Sequence, residues 1–143
     1  MEDRFLQQMK KGVLEMLVLE TVCSGTTYGY ELLGRLKACS DGLFALKEGT
    51  LYPILYRLED DGFVTASWSA GEGRTAPKKI YTATDAGRAE AQRRRSLWGQ
   101  FSKIVDSMGR NGYDQPAEKD EKIHDRHRAA AEFAPGGSGA GHV

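Results

Sequence analysis

Glu48-Gly49-Thr50-Leu51-Tyr52-Pro53-Ile54-Leu55-Tyr56-Arg57-Leu58-Glu59-Asp60-Asp61-Gly62 runs directly into Phe63-Val64-Thr65-Ala66-Ser67-Trp68. Between the two the apolar period changes from helical to alternating. In the first stretch Leu51, Ile54, Leu55 and Leu58 recur at spacings of three and four and form one apolar stripe. Thr50, Pro53 and Arg57 fall on the opposite side, with Tyr52 and Tyr56 flanking them. Pro53 stands near the start, where a missing N–H is tolerated, and Gly62 supplies the stop. The spacing therefore predicts a helix over 48–61, half polar, and then a strand over 63–68.

Upstream, residues 5–22 carry apolar side chains on two faces of a helix, Leu14, Leu17 and Val18 on one, Phe5, Met9 and Met16 on the other. Such a helix is either buried throughout or shared between the domain core and a partner subunit. Ser24-Gly25 ends it, with Gly25 available for the left-handed conformation, and Thr26 or Thr27 can cap a second helix over 28–38. That helix turns Leu32, Leu33 and Leu36 inward, and Ser40-Asp41-Gly42 is turn chemistry. Downstream, Lys79-Ile80-Tyr81-Thr82-Ala83-Thr84 reads as a second strand, joined to the first by a polar tip over 69–77. Gly71 and Gly73 do not make a phosphate loop, because the pattern is too short and no helix follows at once. Thr84-Asp85 caps a last helix over 86–108 with the stripe Leu97, Trp98, Phe101, Ile104, Val105 and Met108. The final segment, 109–143, is polar and glycine-rich; it is expected to be largely disordered, with a solvated helix over 117–133.

Helix, helix, helix, hairpin, helix is the order of a winged helix-turn-helix: mainly α with a small β-hairpin, plus a C-terminal dimerisation helix. The expected organisation is a DNA-binding domain over 5–84, the dimerisation helix over 85–108 and the tail. The second helix braces the third, whose polar face is left for the major groove of double-stranded DNA. The start of the third helix offers positive partial charge to phosphates, and a wing carrying Arg74, Lys78 and Lys79 reaches the backbone or the adjacent minor groove. Twenty basic and twenty acidic residues cancel over the 143-residue chain, so any basic footprint is local. Neutrality also leaves open a second reading, a winged helix used for protein contacts.

Other classes find little support. No apolar run approaches the roughly 18 residues of a membrane span, and the first residues lack the order of a secretory signal, so a cytoplasmic protein without membrane contact is expected. Cys23 and Cys39 fit a reducing compartment and packing roles. Histidine occurs only at His124, His127 and His142, all in the tail. That leaves no catalytic triad, no metal-ligand spacing beyond the His124–His127 pair, and no expected cofactor.

At this point the residues resemble a known family. Glu48 to Glu59 with Asp61-Gly62-Phe63-Val64, Tyr28-Gly29-Tyr30-Glu31-Leu32, and Lys79 to Gly87 are together similar to the signature of the PadR family of transcriptional regulators, over about residues 12–108. The resemblance implies a short-branch member with one C-terminal helix. That means a homodimeric repressor whose repression a small molecule relieves. It puts Tyr28, Thr50, Tyr52, Arg57, Arg74, Lys78 and Lys79 near DNA. It puts Phe5, Met9, Leu97, Trp98, Phe101, Ile104, Val105 and Met108 at the dimer interface. Local alternatives remain: Tyr52 half-buried in helix packing, Arg57 paired with Asp60 or Asp61, the lysines as solvated strand ends. A symmetric dimer sets its recognition helices about 34–36 Å apart, or a multiple of that, and implies a palindromic operator. Trp98 and Phe101 are similar to aromatic residues that line a pore for planar apolar effectors in multidrug-binding members, or else are plain interface packing.

Overall fold

A computed structural model of the chain describes residues 3–71 and 73–112. The elements are α1 (Arg4–Cys23), β1 (Thr27–Tyr28), α2 (Gly29–Cys39), α3 (Glu48–Asp60), β2 (Val64–Trp68), β3 (Lys79–Ala83) and α4 (Asp85–Ser107), then a π-helical turn, Met108–Gly112. The helix expected over 117–133 and the three histidines lie outside the described residues. The architecture is the expected one, helical with a small antiparallel sheet.

The sheet has three strands rather than the two of a hairpin, in the order β1-β3-β2. β2 and β3 pair from Val64↔Ala83 to Trp68↔Lys79, and β1 adds Thr27↔Tyr81 and Tyr28↔Ile80 on the other edge of β3. This corrects the cap assigned to Thr26 or Thr27. α2 starts after Tyr28, without a side-chain cap, because the Thr27 backbone is in the ladder. The Thr27 hydroxyl is buried and donates instead to Glu31 Oε1 at 2.6 Å.

Helix ends follow from local chemistry. Asp3 caps α1 by accepting from the amides of Phe5 and Leu6. At its far end Gly25 does not adopt a left-handed conformation, contrary to expectation. The Ser24 amide bonds the Glu20 and Thr21 carbonyls, and its hydroxyl donates to Thr21, so the carbonyls are satisfied without a reversal of φ. α3 ends as its glycine predicts: at φ +80° Gly62 lets its own amide reach Glu59 and that of Phe63 reach Leu58. The turn Ser40-Asp41-Gly42 closes α2 in the same way, with the Asp41 and Gly42 amides on Ala38 and Lys37.

The core gathers Leu14, Val18, Leu19 and Val22 of α1, Leu32 and Leu36 of α2, and Leu51, Ile54, Leu55 and Leu58 of α3, with Val64, Tyr81, Ala83 and Ala91. Leu17 and Leu33 are half-buried at its margin, and Met16 is buried while Phe5 and Met9 are exposed. Thr84 fastens the sheet to α4. Its amide bonds the Phe63 carbonyl, and its hydroxyl donates to the Gly62 carbonyl and accepts from the Gly87 amide. Gly87 is required there, because a Cβ would lie 2.9 Å from the Phe63 carbonyl carbon and closer still to its oxygen.

The chain divides into two compact units between Arg94 and Arg95, inside α4. In the first unit Glu90, mostly buried, accepts from Arg93 at 2.8 and 2.9 Å and from Arg94 at 2.6 Å. Arg94 also lies 5.6 Å from the Phe63 ring centroid.

Candidate nucleic-acid interface

Burial of the leucine stripe fixes the rotation of α3, and its other side is what water meets. Thr50, Pro53, Tyr56 and Arg57 are exposed and Tyr52 is half-buried. Neither α2 nor α3 has a side-chain cap, since Tyr28 and Lys47 occupy the N-cap positions without such a bond. First-turn amides at both starts are thus not taken by a side chain, the arrangement that suits an anion.

Tyr52 joins the two helices. A Cβ added at Gly29 would lie 2.8 Å from the Tyr52 ring carbon that carries the hydroxyl, so this glycine is the seat of the ring. Burial, followed by the charges of Glu48 and Tyr56, pushes the Tyr52 phenol up. Tyr56 lies beside it with ring centroids 6.1 Å apart. Deeper in, Tyr81 is fully buried and its hydroxyl has no partner among the described residues. Burial, ahead of Tyr56, Tyr52 and Glu59, pushes that phenol up to about 12, so it stays a neutral donor.

The wing brings its cations to the same place. Ser69 and Lys78 close its base through the Ser69 amide on the Lys78 carbonyl, 2.8 Å, and the Lys78 amide on Ser69 Oγ, 3.0 Å. Lys78 Nζ then stands 4.2 Å from the Tyr28 ring centroid, and Lys79 Nζ stands 5.3 Å from that of Tyr56. Tyr28, Gly29, Tyr30, Tyr52, Lys78 and Lys79 line an open notch of about 520 Å³ where the start of α2 meets β3. Arg74 is exposed further out, near the left-handed Gly73.

Four of the seven residues expected near DNA therefore gather around one notch, Tyr28, Tyr52, Lys78 and Lys79, while Thr50 is exposed in the first turn of α3. Arg57 is exposed but pairs with Glu15 of α1 at 3.4 Å, a partner 42 positions away that helical spacing could not reveal. Sequence reasoning missed Tyr30, exposed at the start of α2, and the part played by Tyr56 in holding Lys79. Their positions beside Tyr28 and Tyr52 were the available signal. Cys23 is half-buried, and burial pushes its thiol up, ahead of an opposing effect of Arg88, so it is a poor nucleophile.

In the second unit Trp98, Phe101 and Val105 are exposed, and Leu97, Ile104 and Met108 are half-buried. The Trp98 and Phe101 rings lie 6.3 Å apart and tilted by 39°. No described helix is long and apolar enough to cross a membrane. No group of three metal-ligating side chains occurs among the described residues.

A braced helix with its polar side free, and a lysine-bearing wing gathered with the uncapped start of α2 around one notch, define the class: a winged helix-turn-helix protein of the DNA-binding kind. The model of the PadR-like family of transcriptional regulators matches residues 18–93, more than half of the chain, and the chain belongs to that family. It is a DNA-binding transcriptional regulator and not an enzyme. Over 78 residues it is 32% identical to the negative transcriptional regulator PadR of Bacillus subtilis, covering 54% of this chain but only 42% of that protein. It is 29% identical over 84 residues to a transcriptional regulator of Mycobacterium tuberculosis, covering 59% of this chain and 74% of the relative. Among solved structures, a PadR family regulator from Eggerthella lenta has a TM-score of 0.66 at 28% identity, over 75% of this chain and 90% of that one. A PadR-like regulator from Bacillus cereus has a TM-score of 0.61 at 29% identity, over 73% and 98%.

Proposed function

We propose that the protein is a homodimeric repressor that binds a palindromic duplex and is released by a small planar, apolar effector. Residues 5–84 read the DNA, and the helix over 85–108 pairs the subunits. Tyr28, Thr50, Tyr52 and Arg57 stand on the reading face, and Arg74, Lys78 and Lys79 belong to the wing. The observation that carries this reading is the convergence of the uncapped start of α2, Tyr52 of α3 and the wing lysines on one notch, in a chain of zero net charge.

The exposed Trp98, Phe101 and Val105 support a dimer, since a helix with such a face needs a cover. Phe5 and Met9, exposed on α1, suit the same role. The Bacillus subtilis relative is a negative regulator, which favours repression here. Trp98 beside Phe101, their rings tilted by 39°, offers aromatic faces for the effector.

A mobility-shift titration against the DNA upstream of the protein's own reading frame, repeated over a range of salt, tests the reading. Replacing Arg74 and Lys78 together with alanine should weaken binding to all sequences. It should also flatten the slope of log K against log salt by about 0.9 per lost phosphate contact. A slope equal to that of the parent removes the wing from the DNA face. For the effector, planar aromatic compounds should quench the indole of the parent; a Trp98→Ala variant that quenches equally well ends that part of the proposal.

A further inference from the structure

Lys79 differs from its neighbour Lys78 in what surrounds it. Lys78 is exposed, and its ammonium faces one ring, that of Tyr28. Lys79 is half-buried, and its ammonium faces two rings, 5.3 Å from the Tyr56 centroid and 5.7 Å from that of Tyr81. Both distances are inside the roughly 6 Å over which a ring face attracts a cation. The two rings belong to different elements, Tyr56 to α3 and Tyr81 to β3. Tyr81 is fully buried and registered opposite Ala66 and Thr27, so it cannot follow a moving side chain. Tyr56 leans on Tyr52, which is seated against Gly29.

We infer that Lys79 is a positioning residue: its ammonium clamps the base of the wing to the aromatic side of α3 and so sets the angle at which helix and wing meet the duplex together. This rests on the DNA-face reading above and changes the task of one residue within it. A lysine that neutralises a phosphate releases a counterion and adds to the salt dependence of binding. A lysine directed at two rings of its own protein does not; its loss changes which duplexes fit, since wing and helix must then be oriented at the moment of binding.

The clamp is tested first without DNA. In proton NMR of the full chain, the ε-methylene resonances of Lys79 should lie upfield of the ordinary lysine position, and Tyr56→Leu should move them back toward it while leaving those of Lys78, which faces Tyr28, in place. Ordinary lysine shifts in the parent overturn the proposal, whatever the protein does with DNA. The second arm uses a duplex that the parent selects from a random pool and a scrambled duplex of equal length. Lys79→Met should lower affinity for the selected duplex about fivefold, the scale of one such interaction, and by more than for the scrambled duplex, with a smaller change of salt slope than Lys78→Met. Lys79→Arg, whose guanidinium also stacks on rings, should recover most of the loss. Lys78→Met should lower the slope by about 0.9 on both duplexes. The same drop with Lys79→Met makes Lys79 a phosphate contact and overturns the proposal. If the parent selects no duplex, the DNA reading fails, and the NMR arm alone decides on the clamp.

Discussion

Leu19, Leu55 and Leu58 in the first unit and Trp98, Phe101 and Val105 in the second are all apolar residues at helical spacing, yet their environments are opposite. The leucines are fully buried by α1, α2, α3 and the sheet, whereas Trp98, Phe101 and Val105 remain 39%, 54% and 49% exposed. Apolar periodicity thus reports that a face needs covering and not what covers it. In the first unit the cover comes from the same chain. For the second, a second copy of the chain is the proposed cover.

Substitutions in the two regions should fail differently. The largest effect is expected at the centre of the first core, where Leu55→Ala should cost about 2–5 kcal/mol in denaturant unfolding. A loss below about 1 kcal/mol there would mean that the leucine stripe is not the core. In the second region Phe101→Glu should leave the unfolding of the winged unit nearly unchanged while weakening self-association by roughly 100-fold, as removal of an interface anchor does. Sedimentation at micromolar concentration reads this directly. A Phe101→Glu chain that unfolds instead would place the stripe in an intrachain core and erase the contrast.

Smaller effects sharpen the boundary between the regions. Gly87→Ala sets a methyl group against the Phe63 carbonyl and should cost about 1–3 kcal/mol, because backbone rather than a movable side chain is in the way. Gly29→Ala meets the Tyr52 ring, which can move, so its cost to folding is expected to be lower and its effect on DNA binding larger. The smallest effect belongs to Glu90. Its hydrogen bond from Arg93, then that from Arg94, holds the carboxyl below the usual 4.5 against the opposing effect of burial. A lowered folded value means that the ionised pair stabilises above about pH 4.5 and that this support is lost as pH falls through the lower value. Glu90→Gln should therefore cost up to about 1 kcal/mol at neutral pH and approach the parent in acid. An unfolding difference that does not shrink on acidification would detach the effect from the ion pair.

Much of the fold and part of the interface were legible in the residues. The leucine stripe and the change of period at Gly62 placed α3 and β2, because burial of one helix face is a local pattern that tertiary structure only has to accept. That Tyr52 and the wing lysines share one surface was implied only by the resemblance to the PadR family, since segments so far apart in sequence leave no local pattern. β1 was not legible: two residues carry no period, and Thr27 looks like a cap until β3 offers Thr27 and Tyr28 a strand edge. Nor was the ion pair between Arg57 and Glu15, since helical spacing shows only neighbours on the same helix.

By itself, then, the sequence determined which faces are apolar, where helices give way to strands, and that a basic surface had to be local in a neutral chain. These depend on neighbours within a few residues along the chain. Tertiary structure alone decided that Tyr52 seats on Gly29, that Lys79 meets the rings of Tyr56 and Tyr81, and that Gly87 must lack a side chain. Each of these is a close approach between segments distant in sequence, and composition and period carry no record of distance in space.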